Sequence, residues 1–490
     1  MNALLRWLGP RSYSTRSLTR GCALILLTGG FIASLLSFLP EPERPAAEAA
    51  DVISDIYTRF IYLDYGEIQF MSGENDRMPE GLDSLFIGPE ERWLPNLESR
   101  SQSPDAARGV RFALGLWRRK HQQVDEALTL FHAENEAYPS SWVRQIELET
   151  ALRQGDQDLL NTLEQDPQYA REMDSRFRME WAAKSGNWLQ VFRHFLQSQL
   201  EALRPLPLVV SLVAGTLWSL LLLSLLPQWP KPGFILLCLA ALLLGAVSTW
   251  PTVVSGMWMD AAFGLEEGSD FFSTLWFMLV SVGLREEIWK VVLFSPFLLL
   301  TVRSGNDAQA LLLGAFVGLG FAVEENIGYV MSNAEGVAVS RFVSANMLHF
   351  MLTGATALAL TRAVRNPKAW AMDSLQVMLM AIGLHGVYNT LLSQPVPGLG
   401  DMSYFHGAAL VGCATLFFRE VERLIPLRGA TVSRTGLFCW GLCALFCLEL
   451  IAATLRVGFQ QGLFITGQAA LASVFTGAIF IHFVREPLHS

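Results

Sequence analysis

The sequence has few cysteines. Six occur in 490 residues, at Cys22, Cys238, Cys413, Cys439, Cys443 and Cys447, and each lies in an apolar stretch. The charged part of the chain therefore has none, which excludes a disulfide framework there. Charge is also scarce, at 17% of residues against 51% hydrophobic with a mean hydropathy of +0.33. That balance belongs to membrane proteins and excludes a large soluble enzyme. The acidic part contains no run of Lys or Arg, so no nucleic-acid partner is expected. Cys439, Cys443 and Cys447 recur every four residues along one helical stripe, but no His or further Cys completes a metal set nearby, and they read as packing residues.

The charge that is present is unevenly spread. Residues 41–204 hold 29 of the 45 acidic and 18 of the 36 basic residues, a net of about −11, which leaves about +2 for the remainder. A soluble acidic domain is thus set off from a membrane domain. The first twenty residues carry four arginines and no acid before an apolar run to about Leu39, the pattern of a signal anchor, with a cleavable signal ending near "RPAAEAA" as the alternative. Apolar segments recur near 206–226, 233–250, 271–302, 309–331, 342–361, 371–392, 402–418, 435–455 and 464–484, giving about ten spans with the first. With the N-terminus inside, cytoplasmic loops collect Lys231, Arg303, Arg362, Arg365, Lys368, Arg419, Arg423, Arg428, Arg434 and Arg485. The opposite short loops hold little beyond Arg341 and Arg456 and carry the acidic "LEEGSD".

The predicted fold is all-α: a polytopic membrane helix bundle with an exported helical soluble domain. Four regions follow: 1–40 with the basic N-terminus and first span, 41–203 exported, 204–395 the membrane core, and 396–490 further spans. Within the exported region three stretches each show two apolar helices around a break, at His121, Gly155 and Gly186. The breaks are 34 and 31 residues apart, near the tetratricopeptide period, which suggests a helical-hairpin array offering a surface to a protein partner. An irregular helical domain reads the same stretches equally well.

"LREEIWK" at 284–290 interrupts a membrane-length apolar run with four charged residues. Left facing lipid, they would cost on the order of 10 kcal/mol. Glu286 and Lys290 are one helical turn apart, and Glu287 is expected about 100° away. Later spans add Phe321, Glu324, Glu325 and Asn326 in "GLGFAVEENIGY", then His349, then His385 with Asn389 one turn on. Ionisable groups at membrane depth face one another or a water-filled cavity, so these helices are expected to converge, aided by Gly314, Gly318 and Gly320. Carboxylates with imidazoles and an amide can deprotonate a water and hold an oxyanion, or can bind a divalent metal such as zinc. Taken singly, each has a structural reading: an internal salt bridge for Glu286 and Lys290, a helix-end histidine for His349, helix–helix glue for His385 and Asn389. Glu449, His406 and His482 are read as structural.

At these residues the chain resembles the PrsW family of intramembrane proteases, within the wider group of CAAX prenyl endopeptidases and Abi proteins. The likeness covers roughly 230–395 and rests on Glu286, Glu287 and Lys290 as EExxK, Phe321 to Asn326 as FxxxEN, His349 in the following span, and His385 with Asn389 as HxxxN. The resemblance implies peptide-bond hydrolysis at a polar site inside the bilayer, in a bacterial cytoplasmic (inner) membrane, while the N-terminal signal and the loop charges put residues 41–203 on the extracytoplasmic side. Glu286 or Glu287 would activate water. The catalytic set would include Glu325, His349, His385 and Asn389, supported by Lys290, Phe321 and Asn326. The substrate would be a membrane-embedded protein, and PrsW itself acts on a membrane-anchored anti-sigma factor. The mechanism is glutamate-based without a cofactor, or metal-dependent through the same Glu and His residues. Two other classes remain: a proton- or cation-coupled transporter using the same carboxylates, and a catalytically silent scaffold. No second copy of EExxK or FxxxEN is found, as paired transporter halves would show.

Overall fold

The computed structural model describes residues 15–37, 56, 90–202, 205–228, 230–268, 270–332, 337–393, 406–425 and 433–484. Every regular element among them is a helix. The "RPAAEAA" stretch, Arg428 and Arg485 lie outside the described residues. The chain divides into two units, Pro42–Ser198 on the one hand and Met1–Glu41 with Gln199–Ser490 on the other. The second unit opens with α1 (Thr15–Leu36).

The soluble unit contains α2 (Glu90–Ser101), α3 (Val110–Lys120), α4 (Val124–Ala137), α5 (Ser141–Gln154), α6 (Gln157–Gln165), α7 (Pro167–Glu172), α8 (Ser175–Lys184) and the start of α9 (Trp188–Ala202). The three expected breaks are helix breaks. The α3 helix gives way at His121, α5 stops at Gly155 with φ 77°, and α8 gives way before Gly186 with φ 70°. Glycine enters this left-handed conformation without a Cβ penalty, which makes it the usual helix stop. Asp156, Asp166 and Asp174 then restart α6, α7 and α8 by accepting backbone N–H groups of Leu159, Gln168 and Phe177. The short α7 between the second and third pairs departs from a simple succession of hairpins.

Among its described residues the unit also buries the carboxylates of Glu134 and Glu147. Glu134 accepts the Gly109 N–H at 2.6 Å, ahead of α3, while Glu147 accepts the Tyr169 hydroxyl and faces His132 Nδ1 at 3.1 Å. Burial raises both above the ordinary 4.5. A raised folded value means that these two groups keep protons that the unfolded chain releases, so their contribution to stability is full in acid and is lost as pH rises above 4.5 through the folded value. Glu147→Gln is therefore expected to delay the heat-induced proteolysis of residues 110–190 at pH 8, with the difference from the parent shrinking toward pH 5.

The membrane unit continues with α10 (Pro205–Ser224), α11 (Pro232–Phe263), α12 (Phe271–Phe277), a π-helical turn over Met278–Gly283, and α13 (Leu284–Ser304). It is completed by α14 (Asp307–Ser332), α15 (Val337–Val343), α16 (Ala345–Arg365), α17 (Pro367–Ser393), α18 (His406–Leu424), α19 (Arg434–Val457), α20 (Phe459–Ala472) and α21 (Val474–Val484). Among the described residues seven helices are long and apolar enough to cross a bilayer, and eight spans result if α20 and α21, bent by 43°, count together. The expected ten also included the α12–α13 stretch and α18. The former carries Arg285, Glu286, Glu287 and Lys290, and α18 carries Arg419, Glu420, Glu422 and Arg423, so both fall short on composition.

Close approach at glycines locks the centre of this unit. A Cβ added at Gly318 would stand 2.2 Å from the His349 carbonyl oxygen, and one at Gly314 2.8 Å from that of Thr353, so α14 lies directly on α16. One at Gly320 would meet the Leu242 carbonyl at 1.9 Å, so the same helix also rests on α11. These contacts replace side-chain packing with backbone proximity, as in other membrane helix pairs. The cysteine stripe of α19 packs on α1, where Cys447 Sγ lies 3.4 Å from the Ile25 carbonyl and Gly29 leaves room for it. Glu449 accepts the N–H groups of Ala338 at 2.8 Å and Val339 at 3.0 Å, capping α15. Replacing Gly320 by alanine is expected to push α11 from α14 at a cost of about 1–3 kcal/mol. The melting temperature in detergent should fall, whereas Gly328→Ala, which meets nothing within 4 Å, should leave it unchanged.

Candidate active site

The site begins at a helical irregularity. The π-helical turn Met278–Gly283 feeds straight into the charged first turn of α13, and π-bulges commonly mark functional positions. Facing it on α17 is Gly386, where an added Cβ would stand 2.7 Å from Leu279 Cδ2 and 3.0 Å from its Cα. That close approach delivers the neighbouring His385 to the start of α13.

Three helices besides α13 contribute to the same volume. Lys290 Nζ lies 2.8 Å from Glu287 Oε1, 3.2 Å from Glu286 Oε2 and 2.8 Å from His349 Nδ1 on α16. The Phe321 ring of α14 covers the ammonium with its centroid 4.0 Å away. Lys290 and Glu287 are both 0% exposed, while Glu286 keeps 7%. His385 Nδ1 is 2.9 Å from Glu287 Oε1, and its Nε2 is 3.5 Å from Glu286 Oε2. The two imidazoles meet edge to face, with centroids 5.1 Å apart.

Glu325 enters from the far side of His349. Its Oε2 is 3.1 Å from His349 Nε2 and accepts Arg341 Nη2 at 2.5 Å. Arg341 also donates to Asn326 Oδ1 and lies over the Tyr329 ring, and Asn326 in turn donates to Asn346 Oδ1 at 2.7 Å. A continuous polar chain thus runs from Arg341 through Glu325, His349, Lys290 and Glu287 to His385.

Most of the residues singled out in the sequence are brought together, with three adjustments. Glu287 does not turn away from Lys290, because an ammonium on a long stem serves carboxylates three and four residues back at once. Glu324 faces Thr249 of α11 and stays outside the cluster. Asn389, half-buried, makes no side-chain hydrogen bond among the described residues. Arg341 and Asn346 were not anticipated. Arg341 reads in sequence as a lone loop charge, and only the fold of α15 turns it inward. His406 meets Tyr388 edge to face and His482 meets Phe483, both outside the cluster.

Helical spans and an interior Glu/His/Lys cluster define a multi-pass membrane protein with a polar intramembrane centre. Residues 234–418 match the family model described as PrsW family intramembrane metalloprotease, so this part of the chain is similar to that family. The match starts in α11 and runs past residue 395 into α18. No curated protein and no solved structure matches the chain.

The family's description raises the question of a metal. Glu286, His349 and His385 each offer a donor atom within 4.8 Å of the others, and three protein donors are what catalytic zinc sites use. In this arrangement, however, Glu286 Oε2 and His349 Nδ1 are both turned on Lys290 Nζ, and His349 Nε2 is turned on Glu325. The donors as placed fit an ammonium and do not fit a divalent ion beside it.

Removing the Arg341 guanidinium leaves Glu325 without its charged partner and Asn326 Oδ1 without its donor. Arg341→Ala should cost roughly 1.5–3 kcal/mol, the value of a charged hydrogen bond. Arg341→Lys should recover only part of the lost melting temperature in detergent, because one ammonium cannot reproduce the guanidinium fork.

Proposed function

We propose that the membrane unit is an endopeptidase that cleaves membrane-associated proteins with a water activated by Glu286. The observation that carries this reading is the pairing of Glu286 Oε2 with His385 Nε2 at 3.5 Å, Glu286 being the more exposed of the two adjacent carboxylates. A water bridging these two atoms from the side gives up its proton to Glu286 as its oxygen attacks the peptide carbonyl carbon. Glu287, fully buried and held by Lys290, orients the His385 ring through Nδ1, so that Nε2 faces the reacting water. The Lys290 charge, set in a low-dielectric interior, stabilises the anionic tetrahedral intermediate, and collapse passes the proton to the departing amine nitrogen. Asn389, one turn beyond His385, is the side chain left to donate to the oxyanion. His349 serves as a positioning residue instead, since both its nitrogens are engaged.

The substrate class that suits this centre is a membrane-embedded protein, including an anti-sigma-like regulator released by cleavage, in a bacterial inner membrane. The soluble unit has an open cavity of about 380 Å³ lined by Arg178, Trp181, Asn187, Gln190, Arg193 and His194, which supports recruitment of a protein segment there. The test compares the membrane proteome of cells carrying the parent chain, Glu286→Gln and Glu324→Gln. Glu286→Gln should stabilise at least one membrane protein that the parent cleaves, while Glu324→Gln should not. Cleavage surviving in a folded Glu286→Gln protein would remove the proposed base.

A further inference from the structure

We infer that the Lys290 ammonium is the resident cation of this centre, standing among Glu286, Glu287 and His349 where a divalent metal would have to sit. The inference rests on the geometry of the cluster and does not need the proteolytic reading. An ammonium has three N–H donors and no lone pair. Each of the three finds one acceptor, at 2.8, 3.2 and 2.8 Å, and the Phe321 ring adds a cation–π contact. No donor is left over.

This arrangement fixes the protons around it. Because Lys290 has only protons to give, His349 Nδ1 must accept, which puts the imidazole proton on Nε2, where it is donated to Glu325. Neither His349 nitrogen then keeps a free lone pair for a metal. Zinc binds imidazole nitrogen at about 2.0–2.1 Å and carboxylate oxygen at about 2.0–2.2 Å. An ion bound that closely to Glu286 Oε2 and His349 Nδ1 would share both atoms with Nζ and bring like charges together in a buried space. The metal can enter only if the lysine leaves.

The ammonium pairs with both Glu286 and Glu287, and Glu325 has its own cation in Arg341. A structural lysine merely filling space would not discriminate against metals, and this difference gives the test its readout.

Full-length protein purified in detergent is equilibrated with Co2+ and with Zn2+, desalted, and assayed for bound metal by mass spectrometry and for the cobalt ligand-field absorption. The parent chain should retain no stoichiometric metal. Lys290→Met, which keeps the stem and removes the charge, should gain close to one equivalent, and the double variant Lys290→Met/His385→Ala should lose it again. Lys290→Arg should stay metal-free.

One equivalent of cobalt in the parent chain, with a nitrogen-ligand spectrum abolished by His385→Ala, would overturn the inference without recourse to any variant of Lys290. So would a folded Lys290→Met protein that still takes up no metal. The measurement uses no peptide substrate, so its failure is distinct from failure of the proteolytic assignment.

Discussion

The burial of one lysine ammonium between two carboxylates and an imidazole is the interaction on which the membrane unit depends. An ion in an apolar interior is tolerated only when its hydration is replaced by close, correctly oriented partners. Lys290 obtains them from its own helix and from two others, so the charges of α13 can be satisfied only when α14 and α16 are in place. The glycines facing these contacts have the same purpose: Gly318 lets the His349 backbone come close, and Gly386 lets His385 reach Glu287. Adding a methyl group at either would move an imidazole away from the ammonium's neighbourhood.

The same constraint gives the two carboxylates of the motif different surroundings. Glu287 is fully enclosed, with one oxygen shared by Lys290 and His385, and so belongs to the frame that orients the ring. Glu286 makes a longer contact to the lysine and retains more exposure than Glu287. Adjacent residues on one helix thereby acquire different surroundings, because the π-helical turn and the approach of α17 present them differently. Farther along, Arg341 neutralises Glu325, so that the network ends in a paired charge.

The soluble unit is organised on a different principle. Its helices are short, punctuated by Gly155 and Gly186, and restarted by aspartate caps, so much of its order is local. Long-range order comes from apolar clusters and from Glu134 and Glu147, which tie helices together from the interior. In the membrane unit local signals matter less, because the apolar stretches are uniform and what distinguishes one helix from another is the polar residue it carries.

How much of this was legible beforehand follows from the range of the forces involved. Apolar length, the acidic soluble region and the helix breaks at His121, Gly155 and Gly186 are local properties of the chain, readable because hydropathy and glycine conformation act over a few residues. The polar residues of the intramembrane centre were readable as well, since an ionisable group in an apolar run is costly enough to signal a partner. Their pairing was not. That Glu287 faces Lys290, that Glu324 turns to α11, that His349 has no free nitrogen and that Arg341 closes the chain are outcomes of helix rotation and close packing between segments dozens of residues apart. The sequence by itself determined which groups had to be buried with partners; the tertiary structure alone decided which partner each received, because a hydrogen bond or ion pair is set by distances of a few ångströms that no spacing along a single helix can specify.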